Sequence, residues 1–233
     1  CTREYSSISI ILNANWNKKS KPMPPVGEGE QPFVLPHSWR WTRLGALCSK
    51  ITDGEHATPR RSSTGHYLLS ARNVTNDGIL LGDVDFVPPE EFERIRRRCD
   101  PNVGDVLISC SGSVGRVALV DKDNAYSMVR SAAMVRPISI GATPDFTARC
   151  LRSPLVQAEM VSKSRQSAQT NLFLGAISSL LIPVPPLAEQ NRIVAKVDEL
   201  LALCDRLKAD LAESRAQQER LAATLIESAL QAA

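Results

Sequence analysis

The stretch from Leu187 to Ala233, LAEQNRIVAKVDELLALCDRLKADLAESRAQQERLAATLIESALQAA, runs for 47 residues without a glycine or a proline. Alanine, leucine, glutamate, glutamine, lysine and arginine dominate it, and all of these enter helices at little cost. Pro185-Pro186 stands immediately before it, at the one place where a helix tolerates proline. Positions 193, 197, 200, 204, 207, 211, 214, 218, 221, 225 and 228 alternate spacings of four and three without a slip, which is a heptad seam. Its pairing residues are Ile193, Val197, Leu200, Cys204, Leu207, Leu211, Leu221 and Leu225, while Ser214, Gln218 and Ser228 interrupt it at a cost in stability that can fix register. At 1.5 Å per residue such a helix is on the order of 60 Å long, so it is expected to project and to pair its stripe with another helix. A second copy, another subunit or a further part of the same polypeptide would supply that partner. A helix folded back on its own domain is the competing arrangement, and the sustained 3.5-residue period argues against it.

Upstream, the sequence changes character. Residues 1–32 read as an extended linker, because 13–32 (NANWNKKSKPMPPVGEGEQP) are rich in Lys, Pro, Gly and Glu with no apolar period. Order is expected to begin near Phe33. Residues 33–184 carry short apolar runs separated by turn signals such as Asp53-Gly54, Asn76-Asp77-Gly78, Gly104-Asp105 and Gly112 to Gly115. Val106–Ile108, Val117–Val120 and Ala132–Val135 read as strands, and roughly Pro89–Arg98 and Pro154–Ser162 as helices. The expected fold class is α+β, a mixed domain of short strands and a few helices of ordinary single-domain size, followed by the pairing helix at 185–233.

Composition narrows the function. The 233 residues carry 28 Lys+Arg against 25 Asp+Glu, and of these residues 188–233 hold 6 and 8, so the basic surplus belongs to the domain and not to the helix. An apolar fraction of 43% excludes disorder, and an aromatic fraction of 5% argues against a platform on which single-stranded bases stack. The six cysteines, at 1, 48, 99, 110, 150 and 204, form no CxxC pair, which argues against a zinc site and fits scattered reduced thiols of a soluble cytoplasmic protein. The longest early apolar run, Ile8 to Leu12, is too short for a secretory core. Phosphate-loop, zincin, nucleophile-elbow and dinucleotide signatures are absent, and His37, His56 and His66 have no nucleophile signature beside them. No Pro-Pro pair is followed by the aromatic residue of an amino-methyltransferase loop, and no acidic-x-Lys triplet follows Asp145. The chain is therefore expected to be non-catalytic and to bind no cofactor or metal itself.

The remaining polar chemistry suits duplex DNA. HATPRRSSTGHYLLSARNVT at 56–75 places Arg60, Arg61 and Ser62 in a Ser/Thr/Gly loop, and Arg72 and Asn73 at the end of an apolar run. Arginine reads guanine and asparagine reads adenine through paired hydrogen bonds, while hydroxyls and lysines hold phosphates. GDVLISCSGSVGRVALV at 104–120 reads as strand, glycine turn and strand, with Ser109, Ser111, Ser113 and Arg116 at its tip and Arg130 with Ser131 ahead of the next strand. Glycines 112 and 115 are explained equally by close approach to another molecule and by the hairpin's own geometry. Arg94 to Arg98 follow Glu90, Glu91 and Glu93, so the cluster is expected to be a solvated helix paired Glu90–Arg94 and Glu93–Arg97. Trp39 and Trp41, two apart, are expected to anchor one face of a strand in the core.

Taken together, LPHSWRWTRLGAL, DGEHATP, GDVLISCSGSVGRVALV and QTNLFLGAISSLLIPVPPLAEQNRIVAKVDELLALCDRL resemble the specificity subunit of type I restriction-modification enzymes over about residues 20–230. KKSKPMPPVGEGEQPFVLPHSW also resembles the linker that leads into a target recognition domain. The resemblance implies a non-catalytic subunit that reads double-stranded DNA and docks modification subunits, and through them restriction subunits. S-adenosylmethionine, ATP and magnesium would then sit on those partners. The family pattern has two recognition domains, each followed by a long helix, with the helices packed antiparallel as a spacer. Here one domain and one helix are present, so the chain is expected to be half of a full subunit or a half that dimerises. The resemblance also implies that Gly104, Asp105, Asn171 and Leu172 support the fold, and that base reading falls to the 56–75 loop and the tips near 109–116 and 128–131. Lys163, Arg165 and Gln166 would touch phosphates, and a loop leading into the helix explains them equally well. The specificity domain of a single-chain restriction and modification enzyme, or a coiled-coil adaptor whose domain binds protein, are the alternatives.

Overall fold

The computed structural model describes residues 23–165 and 170–231. The Ile8–Leu12 run, residues 1–22 of the expected linker and Gln166 lie outside them. Within the described residues the fold is mixed α+β.

Its central strand is AAMVRP, Ala132–Pro137 (β10), whose first four residues are fully buried. Small and β-branched side chains let this strand carry neighbours on both edges. Cys48–Asp53 (β2) pairs antiparallel on one side, Val106–Ser109 (β7) on the other, and Val117–Leu119 (β8) extends the sheet from β7. A second sheet runs Asp85–Val87 (β6), His66–Leu69 (β3), Tyr126–Met128 (β9), with β3 and β9 parallel. The core lies between the sheets, where Leu69, Tyr126 and Met128 of one meet Leu107, Ala118 and Met134 of the other. Val74–Thr75 (β4) and Gly78–Ile79 (β5) form a small hairpin beside it.

Among the described residues five α-helices complete the fold: Pro89–Arg96 (α1), Pro144–Arg152 (α2), Pro154–Ser164 (α3), Leu174–Ser178 (α4) and Leu187–Gln231 (α5). α1 sets Phe92 and Ile95 against Leu68 and Val87, and the His66 ring stacks on Phe92 at 4.1 Å. α2 begins on Thr143, whose hydroxyl accepts from the Phe146 amide at 3.2 Å, with Pro144 in the first helical position. That start signal is in the sequence, although the apolar pattern alone did not reveal this helix. Arg40–Arg43 (β1) pairs with Leu181–Val184 (β11) and so joins the two ends of the domain. Trp41 is buried and donates its indole N–H to the Phe33 carbonyl at 3.0 Å. Trp39 stands just ahead of the strand, half-buried, and donates to Glu189 at 3.2 Å, so the two tryptophans do not share a strand face. Packing also begins before Phe33, since Arg43 holds Glu30 at 2.6 Å and the Pro24 carbonyl at 3.2 Å.

The contacts divide the chain into residues 1–191 and 192–233. In the first part, the opening turn of α5 is tied down by Gln190, which has no exposed surface. Its amide nitrogen donates to the Gly141 and Pro185 carbonyls, and its oxygen accepts from the Thr143 amide. In the second part, every residue from 198 to 231 is exposed, including the seam leucines Leu200, Leu207, Leu211, Leu221 and Leu225. The cysteines at 48, 99, 110, 150 and 204 are free thiols, and burial pushes Cys99 and Cys110 up to about 12.

One ion pair is buried in the sheet. Asp105, with 2% of its side chain exposed, receives Arg136 through two bonds of 2.7 and 2.8 Å and the Asn102 amide at 2.9 Å. Arg136 also donates to the Asp100 carbonyl, and Lys50 meets the Asp100 carboxylate at 2.6 Å. The expectation that Asp105 serves the fold agrees with this geometry, and Gly104 ahead of it takes a φ of 92°, in the region that favours glycine. Arg136→Met would strand the Asp105 carboxylate in the interior, so it should lower stability by roughly 3–5 kcal/mol, measured as the shift in urea unfolding midpoint.

Candidate nucleic-acid interface

The loop from Asp53 to His66 leaves β2 and is clamped at its root. A Cβ on Gly54 would lie 2.2 Å from the Met128 carbonyl oxygen, so only glycine allows the two backbones this close. Beyond it, the Glu55 amide donates to Met128 at 2.7 Å and the Arg130 amide donates to Glu55 at 3.0 Å. The Glu55 carboxylate accepts from the Ala57 amide at 2.9 Å and from Arg94 at 2.7 Å, which hold it below the ordinary glutamate range.

Past the clamp, three of the arginines expected to read DNA meet carboxylates. Arg60 pairs with Glu90, and its amide donates to Glu91 at 3.1 Å. Arg61 and Arg72 converge on one oxygen of Asp85, at 3.2 and 3.1 Å, and Arg72 also faces Asp83 at 3.5 Å. All three side chains stay about half exposed or more, so the carboxylates orient the guanidiniums without hiding them. Ser62 sits between them, with its hydroxyl donating to the Thr64 carbonyl at 2.8 Å.

Two expected contacts are not at the surface. Asn73 is 1% exposed: its oxygen accepts from the Ser70 amide and hydroxyl, and its nitrogen donates to the Leu80 and Asp83 carbonyls, so it closes a turn and has no edge left for a base. Ser109 is fully buried, and its hydroxyl accepts from the Arg116 amide and donates to the Ser113 carbonyl, which shapes the hairpin from within. Ser113 and Arg116 are exposed at that tip, and Arg116 has no carboxylate partner among the described residues. Lys163 pairs with Glu159 one turn back on α3 at 3.4 Å, and Arg165 follows that helix, exposed.

The expected Glu90–Arg94 and Glu93–Arg97 side-chain pairs do not form among the described residues, and Arg94, Arg96 and Arg98 take other partners. Arg94 takes Glu91 through two bonds of 2.9 Å, which pulls Glu91 down to about 2, while Glu90 turns to Arg60. Arg96 lies over the Phe92 ring and donates to the Tyr126 and Pro101 carbonyls. Arg98 pairs with Asp53, while among the described residues Arg96 meets only carbonyl and amide oxygens and Arg97 has no carboxylate.

The fold then builds something no local motif announces. Cys110 donates its amide to the Ser131 carbonyl and accepts from the Leu172 amide, both at 2.8 Å, while Ser111 and Asn171 form a backbone bridge. This lacing gathers the hairpin tip, the turn at 129–131 and the segment 170–173 around a cavity of about 470 Å³. Asp53 and His56 close one side, Ser111, Arg130 and Ser131 another, and Thr170, Asn171 and Phe173 the third. Burial raises the Asp53 carboxyl, but Arg98 and His56, the latter at 2.7 Å, outweigh it and hold it below the ordinary aspartate range. Phe173 is 56% exposed, an unusual position for a phenylalanine. Thr170, Phe173 and the carboxylates of Asp83 and Asp85 were missed in the sequence, where nothing places them near the basic loop.

A family model described as the type I restriction modification DNA specificity domain matches residues 90–214. The chain belongs to this family. Among curated specificity-domain proteins, it is 25% identical over 221 residues to the type I restriction enzyme EcoAI specificity subunit of Escherichia coli and 26% identical over 223 residues to the EcoEI specificity subunit of the same species. Each alignment covers 91% of this chain and 37% of the relative, so the chain spans just over a third of their length. The HsdS subunit from Thermoanaerobacter tengcongensis superposes with a TM-score of 0.63 at 26% identity, over 82% of this chain and 49% of that one. A chain from a structure of type I R-M complex assembly and conformational transition shares the fold, with a TM-score of 0.61 at 21% identity over 94% of this chain and 50% of its own length. Among the described residues of this specificity-domain protein, no helix is long and apolar enough to cross a membrane.

The clamp makes a prediction independent of any ligand. Gly54→Ala must push β2 from the 128–130 turn, and should cost about 1–3 kcal/mol, seen as a lower unfolding midpoint and as faster amide exchange at Glu55 and Arg130.

Proposed function

We propose that this chain reads one half of a split double-stranded DNA target as a specificity subunit, or half subunit, of a type I restriction-modification complex. The observation that carries the reading is the Arg61–Asp85–Arg72 arrangement: two solvent-accessible guanidiniums held side by side on one carboxylate, Arg61 from the clamped loop and Arg72 from the turn Ala71–Asn73 that follows β3. Guanidiniums so placed offer paired donors to guanine in the major groove, and orienting them in advance reduces the entropy lost on binding. Membership of the specificity family supports this use of them. The EcoAI and EcoEI relatives are specificity subunits of type I restriction enzymes, and likeness to them supports a non-catalytic role here. Modification subunits would dock on this chain and carry the S-adenosylmethionine chemistry. Restriction subunits, with ATP and magnesium, would join through them in the cytoplasm.

The long helix supplies the pairing surface in this proposal. Leu200, Cys204, Leu207 and Leu211 lie on the seam, and exposed Leu201 and Leu203 widen the apolar band to either side in the first half of the helix. A band of that width suits more than one neighbour: a second helix of the same kind and a docked subunit. Helix length would then set the separation and rotational phase of the two half-targets.

Two measurements test the reading. Arg61→Ala and Arg72→Ala should each lower the ratio of cognate to random duplex affinity by about tenfold or more, at 1–3 kcal/mol per base contact. Normal methylation of the cognate site by complexes carrying either variant would show that the arginines do not read bases. Leu207→Asp combined with Leu211→Asp should abolish pairing, and an unchanged mass in sedimentation equilibrium would refute the helix assignment.

A further inference from the structure

Apart from the arginines on Asp85, the laced cavity has the chemistry of an anion site. Arg130 is exposed at its wall and has no carboxylate partner among the described residues, in contrast to Arg60, Arg61, Arg72, Arg94 and Arg98. Asp53, the one carboxylate in the lining, is already engaged by Arg98 and His56, so the local balance remains positive. Ser131 contributes a directed donor. Its hydroxyl oxygen accepts from the Ala71 amide at 3.0 Å, which leaves its own proton for another acceptor. Ser111 and Thr170 add two more hydroxyls around the same space.

We propose that this cavity holds a backbone phosphate of duplex DNA, contacted by Arg130 with the Ser131, Ser111 and Thr170 hydroxyls, and that the exposed Phe173 ring lies against the adjoining sugar. The inference rests on the DNA-recognition reading above and assigns a separate task to a separate set of residues. Hydroxyls with a single cation are the groups that position a duplex without reading its sequence. One wall of the cavity is also held by main-chain hydrogen bonds at Cys110 and Leu172 and by the Ser111–Asn171 bridge, and Arg60, Arg61 and Arg72 are not among its lining residues. A fixed phosphate clamp gives the adjacent loop a constant reference from which to address bases.

Binding of the full chain to fluorescent duplexes, cognate and scrambled, across 50–200 mM salt separates the possibilities. Arg130→Ala should weaken both duplexes by the same factor and reduce the slope of log affinity against log salt by about 1. Arg130→Lys should restore both, because a phosphate accepts a point charge where a paired base contact does not. A duplex scanned with single neutral methylphosphonates should show one position that weakens wild type and leaves Arg130→Ala unaffected. An unchanged slope in Arg130→Ala, or a loss confined to the cognate duplex, overturns the phosphate site while DNA binding stands. Inorganic phosphate that raises the melting temperature of wild type but not of Arg130→Ala, with the duplex slope unchanged, shows a free-anion site and also overturns it. If wild type has no salt-dependent affinity for any duplex, the DNA-recognition reading itself fails.

Discussion

A carboxylate with almost no exposed surface is tolerated inside a protein only when other groups replace the water it has lost, and Asp105 meets that requirement with the two-pronged Arg136 bond and the Asn102 amide. The pair joins the turn ahead of β7 to the end of β10, so it sets how these two strands lie along one another. Since β10 is the strand shared by β2 and β7, the setting propagates outward. Arg130 and Ser131 stand at the start of β10, and Cys110 at the end of β7 bonds to Ser131 and Leu172. The position of the candidate contact groups is thus inherited from a polar bond in the interior.

Much of this could be read from the chain. The helix from Leu187 to Gln231 is recognisable from composition and period, because a long uninterrupted helix depends on local propensities that no distant contact must correct. Val106–Ser109, Val117–Leu119 and Ala132–Pro137 were evident for the same reason, as runs rich in β-branched or small residues, the first two next to glycine turns. The basic loop at 56–75 was also recognisable, since three neighbouring arginines stand out in any sequence.

What stayed hidden concerns short polar residues and distant partners. Asn73 and Ser109 have the same letters whether they face a base or close a turn, and only the carbonyls and amides brought to them by β4, β5 and β8 decide between the two. Glu90 and Arg94 are spaced for a helical pair, yet Arg60, 30 residues away in sequence, takes Glu90, while Arg94 binds Glu91 on its own helix and Glu55, 39 residues away. Asp85 and Phe173 carry no local sign of their roles, because both depend on the order of strands in the sheets.

The loop beyond the Gly54 clamp has one further property. From Ala57 to Gly65, Pro59 is the only buried residue, so most of these side chains add little to the free energy of folding. Substitutions there can alter which chemical groups face outward while the interior goes on meeting the same constraints. Under the proposed DNA-reading role, a substitution in this loop would change target preference in a step nearly neutral for stability, so recognition and architecture are separable.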